Sequence, residues 1–556
     1  MRSLLCCLPP LLLIASQSVM AANTSQLSYQ YSVPYTGSAT LTIFNEGATP
    51  VTINNFSFTN NTTISGTPWG TLWGWQSNLI DSSESETHIT HTVNENPTIV
   101  IQPQQSASVT YTIGNINGKL TPYKAAMDPI TVKVNGETVS IKGKCVGAAC
   151  VDPGNGKRIL GYFPNWAYWR DPKFTAEQIP YDKINMVAYA FAIFDKDGKV
   201  SLYDQDSDAV NLPIISQKRK QFPYLNASLS FGGWSWFSTP SGWQCQKGDS
   251  PQGPAACFSQ LAKNDSALSR FVTNAVSAMK EVGFNGIDID WEYPESADTA
   301  NFVKLLQQLR TELDNQGKKD NTYYSLTIAV GAGIDKIQTL SNSQWQTIES
   351  VVDHIGVMTY DFHGAWDQGQ VGSNFMSAMQ LDPINDPTAK TQVLGKYNVN
   401  DALNAFLTRG IKANKLIVGI PIYGRMVNIK GAGNTFGLYR DITATPQGEW
   451  DNQASGFTGM INYNCIVDRS VCGNRYVLPN MSLVDPNQNP FGQYALTPWG
   501  FSETAFVTYD DAISATYKAN WVKQQNFAGV MLWDLTGDFK GNDQRSIINS
   551  IYKAFN

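Results

Sequence analysis

From Arg158 to the C-terminus, short apolar runs alternate with stretches in which apolar residues recur every three or four positions. The first pattern suits buried strands and the second one-sided helices, so their alternation predicts βα units around a parallel sheet. The candidate strands are Ile159 to Phe163, Ile184 to Phe194, Tyr224 to Ser230, Gly286 to Glu292, Tyr324 to Val330, His354 to Tyr360, Leu416 to Ile422 and Ala528 to Trp533. Eight strands predict one α/β barrel of the (β/α)8 type, formed by residues 158–425 and 506–556. Ser266 to Val282 carries Leu268, Phe271, Val272, Ala275, Val276 and Met279 at helical spacing, and predicts the helix before strand four. Residues 426–505 are far more than a loop needs, so a small α+β insertion domain is expected there.

Residues 22–145 keep a different period. Ala39, Leu41 and Ile43 alternate with Thr40 and Thr42, and Val109, Tyr111 and Ile113 with Thr110 and Thr112. Ile130, Val132 and Val134 lead into Asn135-Gly136, a two-residue hairpin signal, and Val139 and Ile141 return. An N-terminal all-β sandwich is predicted, joined to the barrel by a small-residue linker at 146–157. Within it, Trp69, Trp73 and Trp75 stand among glycines. They read either as a core cluster or as an exposed platform for carbohydrate.

Composition narrows the partner. Charged residues are only 15% and the net charge is -6, which excludes the clustered basic surface that nucleic acid requires. The 15 Trp, 24 Tyr and 25 Phe are rich for a core alone, and aromatic faces stack on the apolar faces of sugar rings. Residues 1–21 hold Arg2, an apolar run from Ser3 to Ala15 and the small-x-small pattern Val19-Met20-Ala21, which predict a signal peptide and a secreted chain, extracellular or periplasmic. No later run reaches the roughly 18 apolar residues of a membrane span, so no membrane association is expected after cleavage. The remaining cysteines fall into near neighbours, Cys145 with Cys150, Cys245 with Cys257 and Cys465 with Cys472, expected as three disulfides in an oxidising compartment. Only 4 His are present, and no Cys pair has a second pair at ligand spacing, so no metal is expected.

The chemistry concentrates in Asn285-Gly286-Ile287-Asp288-Ile289-Asp290-Trp291-Glu292-Tyr293-Pro294. Read as a strand, it puts Asp288, Asp290 and Glu292 on one face, about 6.6 Å apart, with Ile287, Ile289 and Trp291 on the other. Neighbouring carboxylates resist each other's ionisation, so at least one should hold a proton at neutral pH.

This run resembles the D-G-x-D-x-D-x-E signature of glycoside hydrolase family 18, the chitinases and their relatives, on strand four of a TIM barrel. Asn285 departs from the family's Asp, and is expected to tune the row without abolishing the reaction. Ser230-Phe231-Gly232-Gly233 resembles the S-x-G-G motif, Met358-Thr359-Tyr360-Asp361-Phe362 resembles M-x-Y-D-[FL], and Pro421-Ile422-Tyr423-Gly424-Arg425 resembles P-x-Y-G-R. Trp533 stands where the family has the floor of its -1 subsite, and Tyr162 and Phe191 also match. The resemblance implies catalytic roles for Glu292, Asp290, Asp288 and Tyr360. It implies substrate contacts for Tyr162, Phe191, Ser230, Trp234, Tyr293, Met358, Asp361, Tyr423, Arg425 and Trp533. Chitin or chito-oligosaccharides would be cleaved with retention, the substrate's own acetamide serving as nucleophile in place of a protein group. No cofactor and a monomeric chain are expected. An endo-β-N-acetylglucosaminidase and a chitin-binding lectin or adhesin are the alternatives.

Overall fold

The computed structural model describes residues 27–32, 38–45, 47–53, 56–60, 77–80, 89–93, 99–112, 130–134, 137–143, 152–202, 204–234, 246–247, 250–251, 253–320, 322–451, 456–473 and 476–556. The chain divides into two compact units, Met1–Lys144 and Cys145–Asn556. The expected signal segment, Trp69, Trp73, Trp75, Cys145, Cys150 and Cys245 lie outside the described residues.

Among its described residues the first unit is all β. Five strands pair in the order Ser106–Thr112, Ser38–Asn45, Leu27–Ser32, Glu137–Gly143 and Ile130–Val134. The alternation read from the sequence appears as cross-strand pairs, Leu41 with Val109 and Ile43 with Ala107. Val134 pairs with Glu137 in an antiparallel pair.

The second unit is built on eight parallel strands: β1 (Arg158–Pro164), β2 (Met186–Phe194), β3 (Asn226–Gly232), β4 (Gly286–Asp290), β5 (Ser325–Gly331), β6 (His354–Met358), β7 (Leu416–Pro421) and β8 (Gly529–Trp533). Each pairs with the next, β7 pairs with β8 and β8 with β1, so the sheet closes on itself. Alternation sorts the side chains. On β1, Ile159 and Phe163 face the helical layer, while Leu160 and Tyr162 join Met186, Ala188, Ile417 and Met531 inside the barrel. The helix before β4 runs Asp265–Glu281, capped by Asn264, and buries all six apolar positions of the predicted stripe.

Two predicted strands stop two residues short of their expected C-terminal ends. β4 ends at Asp290, because its pairing with β3 stops at Gly232 and its pairing with β5 stops at Ile289. Glu292 is therefore a turn residue, placed by Trp291, whose ring stacks on Phe258 at 5.1 Å and meets Phe302 edge-on at 5.6 Å. β6 ends at Met358, and Asp361 takes a positive φ of 55°.

After β7 the chain leaves the barrel into an antiparallel sheet of six strands between Tyr423–Ile429 and Ala505–Tyr509, with two short helices, Tyr463–Val467 and Arg469–Cys472. An α+β insertion was expected over residues 426–505, and this sheet starts three residues before that range and ends four after it. Cys465 and Cys472 are disulfide-bonded there, and Cys257 in the barrel is also disulfide-bonded. A fully buried ion pair ties the sheet to the barrel. Lys518 donates to Asp510 at 2.7 Å and to the Ser377 carbonyl at 2.8 Å, and Asp510 also accepts from the Ser377 and Ser514 hydroxyls. Lys518→Met should cost about 3–5 kcal/mol in denaturant unfolding, because Asp510 would remain buried without its counter-charge; a loss below about 1 kcal/mol would contradict this reading.

Candidate active site

β4 carries Asp288 and Asp290 into the barrel, where they are 0% and 3% exposed. Ser230 on β3 and Thr327 on β5 each donate a hydroxyl to Asp288 at 2.7 Å. Tyr162 on β1 donates to Asp288 at 2.9 Å and lies 3.3 Å from Asp290. Three hydroxyls thus converge on Asp288. Asp290 is held well above the usual carboxylate range, first by burial, then by the charges of Asp288 and Glu292 and by its hydrogen bond with Asp288. The neutral form of Asp290 is therefore favoured.

Glu292, half-buried just beyond the strand, is pushed up to about 7. Burial is the main cause and the charge of Asp361 adds to it, while a hydrogen bond from Tyr293 acts in the opposite direction. From strand alternation alone, the acids were expected to raise one another along the row. That describes Asp290, but Glu292 owes its shift to burial and to a carboxylate on another strand's loop.

Asp361 is fixed in turn by Arg425, which donates Nε at 2.9 Å and Nη2 at 2.6 Å in a two-pronged ion pair. Tyr423 hydrogen-bonds the same carboxylate and meets Tyr360 edge-on at 6.2 Å. Burial raises the Tyr360 hydroxyl, and the charges of Glu292 and Asp290 raise it further, so it remains a neutral donor facing the row.

The floor is aromatic. Trp533 at the end of β8 lies 5.5 Å from Tyr162 and stacks on Phe191 at 6.0 Å, with Met358 packed against the same cluster. Gly232 and Gly233 explain the paired glycines after β3. A Cβ on Gly232 would lie 2.1 Å from the Asp290 carbonyl, and one on Gly233 would lie 2.4 Å from the Phe191 ring, while both have positive φ. Trp234 follows at 72% exposure.

The barrel residues singled out from the sequence therefore lie within the strands, as Asp288, Tyr162, Phe191 and Ser230 do, or at their C-terminal ends and just beyond. Asn285 stands apart: its side-chain oxygen accepts the Ala227 N–H at 2.8 Å at the base of β3, so its contact is with the barrel frame and not with the acids. An amide oxygen accepts that bond as a carboxylate would. Three site residues were missed. Thr327 holds Asp288, Trp166 joins Phe191 and Trp533 at 6.1 and 6.3 Å, and Trp366 lies under the Arg425 guanidinium at 5.5 Å. Trp166 was legible in principle, since Asn165-Trp166-Ala167-Tyr168-Trp169 directly follows a barrel strand.

Chemically, the arrangement can offer a proton to a neutral ligand lying on an aromatic floor, with a second acid beside it whose neutral form is favoured. No three His, Cys, Asp or Glu side chains among the described residues form a group suited to a metal ion. A parallel barrel with proton-holding acids above a tryptophan floor defines the class of barrel glycosidases. Comparison with known proteins sharpens this. The sequence profile of Glycosyl hydrolases family 18 matches residues 158–538, and the chain belongs to that family. Chitinase 1 of Aphanocladium album is 28% identical over 422 residues, which are 72% of this chain and 86% of that protein. A solved chitinase from Bacillus thuringiensis shares the fold with a TM-score of 0.59 at 24% identity, over 72% of this chain and 70% of that one. So does human YKL-39, described as a pseudo-chitinase with retained chitooligosaccharide binding, with a TM-score of 0.59 at 20% identity over 72% of this chain and 99% of that one.

Asp361→Asn removes a negative charge that disfavours ionised Glu292, so Glu292 should titrate below about 7 when its carboxyl band is followed by infrared spectroscopy across pH. An unchanged or higher midpoint would contradict the assignment.

Proposed function

We propose that this protein is a secreted chitinase, hydrolysing β-1,4 links between N-acetylglucosamine units with retention through the substrate's own acetamide. What carries the reading is the pairing of a carboxyl pushed up to about 7, Glu292, with an acid next to it that is held well above the usual carboxylate range, Asp290. Glu292 gives its proton to the leaving oxygen and then, as carboxylate, takes one from the incoming water. Asp290 leaves its proton with Asp288 and turns its carboxylate to the acetamide N–H, which drives the acetamide oxygen onto the anomeric carbon. Tyr360 orients that oxygen. The oxazolinium ion so formed is opened by water from the same face, and the product keeps the β configuration.

An intramolecular nucleophile can reach an effective molarity on the order of 10⁵ to 10⁸ M, so a protein carboxylate at the anomeric carbon is unnecessary. The lectin alternative gives no use to a protonated Glu292 above the floor. The relatives named chitinases favour chitin over glycoprotein glycans.

Glu292→Gln should lower kcat by about 10² to 10⁴ while oligosaccharide binding persists, and Asp290→Asn should be nearly as damaging. Because Glu292 must be protonated to act, kcat should fall as pH rises through about 7. Substantial turnover by Glu292→Gln, or a rate still rising above that pH, would refute the roles.

The N-terminal unit, in this reading, holds the barrel on solid substrate. Deleting residues 22–150 should weaken binding and hydrolysis of insoluble chitin while leaving rates on soluble oligomers within about twofold. Replacing Trp73 and Trp75 by Ala should reproduce part of the loss. Equal degradation of solid chitin by the truncated chain would overturn this.

A further inference from the structure

The helix Gln205–Gln221 packs against β3 and against the segment that follows β1, and begins with a polar stripe where an apolar one is expected. Asp204, Ser207, Asp208 and Asn211 are spaced three and four apart, and the last three are buried. Buried polar groups cost free energy unless paired, and each of these is paired. Asp208 accepts from the Tyr189 hydroxyl at 2.6 Å and from the Asp204 N–H at 3.0 Å. Ser207 donates to the Asn165 carbonyl at 2.6 Å, and Asn211 donates to Ser207 and accepts the Ala176 N–H. Asn165 and Ala176 belong to the segment leaving β1 at the barrel mouth. From that segment, Trp169 donates its indole N–H to Asp204.

Asn165–Trp169 is a 3₁₀ turn. With three residues per turn and a rise of about 2 Å each, Trp169 sits one turn beyond Trp166 along the same edge. Trp166 is already part of the aromatic floor. Trp169 is 60% exposed, yet its indole N–H is tied down. Holding an exposed side chain in one orientation costs rotamer entropy, which a flat sugar face stacked on it would offset.

We propose that Asp204 and Asp208 are positioning residues that fix the mouth turn, so that Trp169 stacks on the part of a long N-acetylglucosamine chain extending past Trp166. This rests on the chitin reading above. Asp208 holds the backbone of Asp204, the Ser207 hydroxyl holds Asn165, and the Asp204 carboxylate holds the indole. Burial pushes Asp208 up to about 6, which leaves it a desolvated anion at neutral pH. Asp208→Asn relieves that burial cost while turning one acceptor atom into a donor facing a donor. It therefore separates positioning from stability.

The test is steady-state kinetics of the full chain on the N-acetylglucosamine trimer and hexamer, with thermal midpoints measured in parallel. Asp204→Ser keeps an oxygen for the Ser207 N–H but is too short to hold the indole. Both variants should raise KM for the hexamer about three- to tenfold. Trimer KM and kcat should stay within about twofold and the midpoint within about 2 °C. Trp169→Ala should give the same length-selective loss. An unchanged hexamer KM, an equal loss on both oligomers, or a loss that tracks a falling midpoint would overturn the inference. Wild-type protein inert on both oligomers would overturn the chitin reading and this inference with it.

Discussion

Two carboxylates buried side by side cannot both be ionised, and much of this site follows from that constraint. β4 brings Asp288 and Asp290 together into the buried barrel interior, where burial and the Asp288 charge favour the neutral form of Asp290. The strand could not hold a pair of anions there. It holds a hydrogen-bonded pair instead, with Tyr162, Ser230 and Thr327 supplying three hydroxyls to the inner member. In the proposed reaction the same pair becomes a reservoir: when Asp290 turns outward, Asp288 is already placed to keep the proton.

The surrounding structure serves that pair. The glycines after β3 let Asp290 and the Phe191 ring approach as closely as they do. Trp291, packed between Phe258 and Phe302, fixes the turn on which Glu292 stands. Arg425 reaches back from the first strand beyond the barrel to orient Asp361, whose charge helps keep Glu292 protonated. The insertion sheet is thus coupled to the acid through one ion pair, and to the barrel frame through the buried Lys518–Asp510 pair.

Much of this was legible in the sequence, for physical reasons. Period-two alternation put Asp288 and Asp290 opposite Ile287 and Ile289, and a strand in a closed barrel keeps that alternation. The alternation could not carry to Glu292, because strand pairing ends at Asp290 and what places Glu292 is the packing of Trp291, a long-range matter. Asn285 was expected to tune the row, whereas its partner is a backbone amide on a neighbouring strand. Contacts of that kind, like the hydroxyl of Thr327 on Asp288, depend on register between strands distant in sequence. Trp366 was missed for the same reason, since only the fold brings it under Arg425.

The measurement that tests the account most directly is the anomeric form of the first product released from an N-acetylglucosamine hexamer, read by proton NMR before mutarotation. The account predicts the β anomer, formed when water opens an oxazolinium ion from the face that the leaving group left. An α product at the earliest time points would mean that water attacks the opposite face directly, with no part for the acetamide. The favoured neutral form of Asp290 would then need another explanation.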